Sequence, residues 1–238
     1  MSRVLFALVP LSLVCVGCVS KSEAETFDIQ EDFERVDIDL PTGAVIVVGH
    51  DGDGATVEAT SHWQGSRKPD LDVGVEGDAL VLRVDCGALS ICSVDAQLDL
   101  PRGVKLAMDG ATGDLTVREF DGDVEASLTT GSITLAEVGG ELDLHTTTGD
   151  VRGIELGSEE IEIRATTGKV ALAFVEAPSH VDVDATTGRI DIELPAGGYA
   201  VDAITTTGSV VVEVEQDPES ELRVDVRTTT GNIKVHPG

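Results

Sequence analysis

At 238 residues the chain suffices for one large domain or two small ones, and its 44 acidic against 16 basic side chains leave a formal net charge of −28. Such a surface excludes nucleic acid as a partner, because phosphate binding needs clustered Lys and Arg; it is repelled by an anionic membrane surface and leaves cations and basic partners open. Hydrophobic residues make up 41 % but aromatics only 3 %, so the core must be built from Val, Ile, Leu, Ala and Thr, whose β-branched members favour strands.

The first segment, MSRVLFALVPLSLVCVGCVS, has one early charge, Arg3, followed by an apolar run from Val4 to Val19 broken by Pro10 and Ser12. That run is short for a spanning helix, which needs roughly 20 apolar residues. Behind a positive start it reads as a secretory signal over residues 1–17. Val16-Gly17-Cys18 resembles a bacterial lipobox, with Cys15 standing where Leu is usual. The resemblance implies diacylglycerol on Cys18, a membrane anchor gaining about 0.8 kcal/mol per buried methylene. It further implies a lipid-attached linker over residues 18–26. Val19 and Ser20 do not resemble an inner-membrane retention signal, which implies the outer membrane in a Gram-negative host. Ordinary cleavage after Ser22-Glu23-Ala24, giving a soluble exported protein, is the rival.

Residues 27–109 alternate apolar and polar residues in VDIDL, AVIVVGH, ATVEATSHW, ALVLRV and AQLDL, and are expected to form an irregular N-terminal β cap with early coils. Pro41-Thr42-Gly43-Ala44-Val45 looks like an early copy of a motif repeated later. HDGDG at 50–54 reads as a turn, with a cation loop as the alternative. Cys86 and Cys92 remain once Cys15 and Cys18 are assigned to the export segment. In an exported chain they read as one disulfide, with a metal pair or free thiols as alternatives; no nearby histidine completes a zinc set.

From about residue 110 to 238 the chain repeats itself. Gly113, Gly131, Gly149, Gly168, Gly188, Gly208 and Gly231 each follow a threonine, at spacings of 18, 18, 19, 20, 20 and 23. A period near 20 marks a solenoid. Two alternating runs lie in each repeat, as in GKVALAFVEAPSHVDVDATTG at 168–188. The expected fold is therefore all-β: a parallel β-solenoid of about 18–23-residue coils, right-handed by the general rule for parallel crossovers. Seven coils at about 4.8 Å give a stack roughly 30 Å long.

Counting back from each glycine, residues one, three, five and seven before it share one phase. The residue directly before glycine, Thr112, Thr130, Thr148, Thr167, Thr187, Thr207 or Thr230, is expected to point inward as a hydroxyl ladder. The glycines are expected to supply the corners with positive φ. The middle threonines, Thr129, Thr147, Thr166, Thr186, Thr206 and Thr229, point outward. So does a column six before the glycine: Glu125, Asp143, Glu162, Asp182, Asp202 and Asp225. Neighbouring carboxylates at strand spacing repel by about 0.9 kcal/mol even in water. Arg164, Arg223 and Arg227, salt, or Ca²⁺ held by the carboxylates would offset this; otherwise the column is a solvated face that discourages sheet aggregation. The Gly-Gly-x-Gly-x-Asp calcium-roll pattern is absent.

LTTGSITL (128–135), TTTGDV (146–151), ATTGKV (165–170), ATTGRI (185–190) and TTTGSV (205–210), with DLPTGAVIVVGHDGDGATVEA upstream, resemble the bacterial DUF4097 family of adhesin-like β-strand-repeat proteins. The resemblance spans roughly residues 27–236 and implies an extracytoplasmic β-solenoid with no catalytic residues. The expected function is a non-enzymatic, lipid-anchored envelope module with an unidentified surface partner. A polysaccharide-acting enzyme and a cation-dependent self-assembling protein are the alternatives. One Trp and one Tyr make a poor sugar platform, and His50, His62, His145, His180 and His236 have no nucleophile or metal spacing.

Overall fold

The computed structural model of the chain describes residues 20–87 and 91–238. The first part contains β1 (Ser20–Ile29), β2 (Arg35–Thr42), β3 (Val45–His50), β4 (Ala55–Gln64), β5 (Asp70–Glu76), β6 (Ala79–Asp85) and β7 (Ile91–Pro101). Five successive pairs follow: β8 (Lys105–Thr112) with β9 (Leu115–Phe120), β10 (Val124–Thr130) with β11 (Ile133–Val138), β12 (Leu142–Thr148) with β13 (Val151–Leu156), β14 (Glu160–Thr167) with β15 (Val170–Phe174), and β16 (His180–Thr187) with β17 (Ile190–Leu194). The last part is β18 (Gly198–Thr207), β19 (Val210–Val212), β20 (Glu215–Gln216), β21 (Arg223–Thr230) and β22 (Ile233–Pro237).

The strands form two mostly parallel 11-stranded sheets. The first runs β1-β4-β7-β3-β9-β11-β13-β15-β17-β22-β19, and the second β20-β18-β21-β16-β14-β12-β10-β8-β2-β6-β5. Each coil contributes one strand to each sheet, so the chain is an all-β solenoid flattened into two facing layers. Val, Ile and Leu at alternate positions fill the space between, as Val181, Val183, Ile190 and Ile192 do within one coil, all 0 % exposed. A single coil could not bury such a face; stacking does it for all of them.

Stacking order departs from chain order at both ends. Gly43 lies directly against Gly113, and β2–β3 pair with β8–β9, so residues 35–50 form a true coil of the stack. The 54 residues between β3 and β8 leave the stack and return, closing that end with β1, β4 and β5 in antiparallel pairing. At the other end β21–β22 insert between β16–β17 and β18–β19. The boundary expected near residue 110 is therefore not a boundary of the fold.

Residues 20–26, expected as a linker, are the start of β1, paired with β4 from Ser20↔Gln64 onward. The strand was masked in sequence because its inward positions include Glu23 and Glu25 rather than apolar residues. Both carboxylates meet the Lys68 ammonium. Burial opposes that charge, but the bonds to Glu25 and Glu23 outweigh it and hold the Lys68 pKa above its ordinary value. Cys86 and Cys92 are joined, with Cα atoms 5.7 Å apart. Cys18 and residues 1–17, the expected signal segment, lie outside the described residues.

Candidate binding surface

The corners determine what the outer faces present. Each repeat glycine sits on the inside of a bend, where a Cβ would overlap the carbonyl oxygen of the glycine one coil away. The column runs Gly43, Gly113, Gly131, Gly149, Gly168, Gly188, Gly231, Gly208; at its first member, Gly43, the carbonyl met is that of Val94. Most of these glycines have positive φ, for example 150° at Gly131 and 156° at Gly149, but Gly188 is not among them. Close backbone approach is thus the common requirement, and positive φ an accompaniment.

Because glycine takes the inside of the bend, the preceding threonine cannot. Thr112, Thr130, Thr148, Thr167, Thr187, Thr207 and Thr230 are all exposed, and the inward hydroxyl ladder expected there does not exist. Alternation holds at seven, five and three residues before glycine and breaks at the corner. The inward hydroxyl is the first of the three threonines. Thr146 Oγ1 donates to the Gly131 carbonyl at 3.5 Å, and Thr205 Oγ1 to the Gly231 carbonyl at 3.0 Å. At Thr146 and Thr205 the first threonine of TTTG locks the corner to the neighbouring coil, whereas the buried Thr228 hydroxyl makes no such bond; the other two threonines decorate the outside.

A second lock was missed in sequence. The residue after the corner glycine accepts a backbone N–H from the next coil: Asp114 Oδ1 from Ser132 at 2.7 Å, Asp150 Oδ1 from Lys169 at 2.7 Å, and Asn232 Oδ1 from Ser209 at 3.0 Å. Asp95 does the same for Ala44 at 2.9 Å. The signal was the Gly-Asp and Gly-Asn step, which reads as ordinary turn chemistry unless the repeats are laid in register.

On the outer face of the second sheet the carboxylates form a column, with Asp225 between Asp182 and Asp202. Glu125, Asp143, Glu162, Asp182, Asp225 and Asp202 lie in this order on neighbouring strands. Basic groups two residues along interleave with it. His145 Nε2 lies 3.3 Å from Asp143, Arg164 pairs with Glu162, and Arg227 reaches Asp202 at 3.1 Å and Asp225 at 3.7 Å. Towards the capped end Lys105 Nζ bonds Asp123 at 2.8 Å, which holds that carboxyl below the usual aspartate range; burial opposes the shift, and the Glu141 N–H adds to it.

The calcium reading of Glu125, Asp143, Glu162, Asp182, Asp202 and Asp225 fails on geometry. Among the described residues no three His, Cys, Asp or Glu side chains converge on a point that could hold a metal ion. On a flat sheet each carboxylate has column neighbours only above and below, and all project in the same direction instead of towards one centre.

Beside this column runs an open groove of about 570 Å³ lined by Ser127, His145, Arg164, Asp184 and the outer threonines Thr129, Thr147, Thr166 and Thr186. The outer face of the first sheet is different. There Ile46, Thr116, Thr134, Arg152 and Ala171 form one column, and Val48, Arg118, Ala136 and Ile154 another, with no carboxylate among them. Acidic groups flank these columns, at Asp99 and Glu58 towards the capped end and at Asp191 and Glu193 towards the other. The unbroken carboxylate column belongs to the second sheet.

A family model described as Toastrack DUF4097 matches residues 30–236. The chain belongs to the Toastrack DUF4097 family. Among solved structures, a putative adhesin from Bacteroides fragilis is 16 % identical, with 89 % of this chain and 96 % of that chain covered and a TM-score of 0.55. A putative adhesin from Parabacteroides merdae is 13 % identical over 90 % and 96 %, with a TM-score of 0.44. A third, from Parabacteroides distasonis, is 11 % identical over 90 % and 97 %, at 0.45. No curated protein matches the sequence. At these identities the likeness is one of fold. This Toastrack chain carries a hydroxyl-edged carboxylate column on one outer face and, on the other, central columns without a carboxylate.

Proposed function

We propose that this protein is an exported, lipid-anchored, non-catalytic binding module of the cell envelope. The observation that carries the reading is the in-register column. Ser127, His145, Arg164 and Asp184, with the threonines beside them, recur at strand spacing along one groove. A surface that offers similar contacts every ~4.8 Å suits an extended or multivalent partner better than a single small substrate. The description of similar folds as adhesins supports the same class of role.

Anchoring gives this surface its setting. Only Val19 separates Cys18 from β1. With two acyl chains on Cys18 the capped end lies at the membrane, and the ten strand spacings of an 11-stranded sheet carry the opposite end roughly 50 Å away. Two measurements test the proposal. Cys18→Ser is expected to move the protein from the membrane to the soluble fraction. Beads coated with the protein are expected to bind envelope or surface material, and to lose most of that binding when Arg164 and His145 are both replaced by Glu. Membrane retention of the Cys18 variant would overturn the anchor; unchanged bead binding would overturn the groove.

A further inference from the structure

The two ends of the stack are finished differently. At the capped end the sheets close with antiparallel strands, and edge strand β1 turns Glu23 and Glu25 inward beneath Lys68, which discourages further pairing. At the far end the last coil, β18–β19, has a coil on one side only. Val201 and Ala203 pair in register with Val224 and Val226, which are 0 % exposed, yet are themselves only partly buried. Ile204 is 52 % exposed and Val211 42 %.

The backbone is equally unfinished. The Ala200 N–H donates to Leu222, into the stack, so by strand alternation the N–H and C=O groups of Val201, Ala203 and Thr205 point the other way. Among the described residues no strand lies there. The chain itself fills only the first two places of this lane. β20 pairs Glu215 with Gly198 and Gln216 with Tyr199, and the chain then turns away at Asp217-Pro218.

We propose that the vacant lane along Ala200–Thr207 receives an extended strand from a partner protein, with aliphatic residues facing inward and Lys or Arg facing outward. Strand addition of this kind draws affinity from main-chain hydrogen bonds and specificity from alternate side chains. Its inward residues cover Val201 and Ala203. Its outward residues lie beside Asp202 and near the acidic turn of Glu215, Asp217 and Glu219. Charge decides the occupant. A second copy carries the same net charge of −28, and its capped end presents the acidic edge strand β5, with Asp70, Asp72 and Glu76 exposed. A basic strand is attracted where a second copy is repelled. The inference goes beyond the groove and needs neither the groove nor the anchor.

The test uses the full chain in detergent solution and a fluorescein-labelled eight-residue peptide of alternating valine and lysine. Saturable binding is expected, with slowed hydrogen exchange at the amides of Val201, Ala203 and Thr205. Ile204→Lys and Asp202→Lys are each expected to weaken binding at least tenfold. Ile91→Lys, which changes an exposed side chain in the capping region, is expected to leave it within twofold. A peptide of the same charge with a central proline, which cannot complete the ladder, is expected to bind at least tenfold more weakly. Equal binding of the proline peptide, or no change with Ile204→Lys, would reduce the effect to general attraction by an acidic protein and overturn the proposal. Dimerisation of the free chain through Ile204 in sedimentation would overturn it in favour of a second copy.

Discussion

A corner glycine and the threonine before it are adjacent in sequence but opposite in consequence. At Gly149 a Cβ would overlap the Gly131 carbonyl, and the φ of 156° is already disfavoured for other residues. Gly149→Ala must therefore push two coils apart or bend both corners, and is expected to cost about 3 kcal/mol. Thr148 stands in solvent one residue earlier. Thr148→Val is expected to change stability by less than about 0.5 kcal/mol, as surface substitutions do. Urea denaturation of the two variants separates a glycine-stacked corner from a threonine-laddered one: a large loss for Thr148→Val would return the threonine to the interior. Asp150 belongs with the glycine, because its carboxylate holds the Lys169 N–H at 2.7 Å.

Within each strand pair, local backbone choices set how tightly the coil closes. In three of the shorter coils the bend at the end of the first-sheet strand puts a glutamate in the left-handed region: Glu119 at φ 52°, Glu137 at 56° and Glu155 at 53°. All three are exposed, so no burial requires the side chain. Glu137→Gly is expected to raise stability by about 0.5 kcal/mol and Glu137→Val to lower it by more than about 1 kcal/mol, since a β-branched residue fits this region worst. A valine variant more stable than wild type in urea melts would rule out the strain. Between coils, Lys105 and the Glu141 N–H both bind the Asp123 carboxylate. Its folded pKa lies below its ordinary value of 3.8, so the unfolded chain takes up the proton first as pH falls. The contribution is complete above about pH 4 and is lost as pH drops through the lowered folded value. Asp123→Asn is expected to flatten that part of the acid stability profile, and an unchanged slope would remove the clip.

At the scale of the molecule, the repeat made the solenoid legible because glycine spacing and alternation are properties of the sequence itself. Stacking order was not legible, because a β-coil accepts any neighbour with the same corner. Gly43, Gly188 and Gly208 all end the same strand type, and nothing local says that Gly43 meets Gly113 or that Gly231 sits between Gly188 and Gly208. The threonine phase failed for a related reason: alternation can be counted along a strand but not round a bend. The inserted coil has a consequence that a sequential stack would not share. In chain order, removing residues 218–238 would delete one terminal coil and spare the rest. In the observed order β18–β19 rest on β21–β22 and on nothing deeper. The truncation therefore strands residues 198–212 without a partner, and exposes Val181, Val183, Ile190 and Ile192, now 0 % exposed, as the new end. Hydrogen exchange on the truncated chain is expected to show protection lost throughout 198–212, while β8 to β15 keep theirs, because repeat stability passes only between neighbours. Retained protection at 198–212 would mean that β18–β19 can dock directly on β16–β17, and that the insertion of the last coil is one of two packings of similar energy.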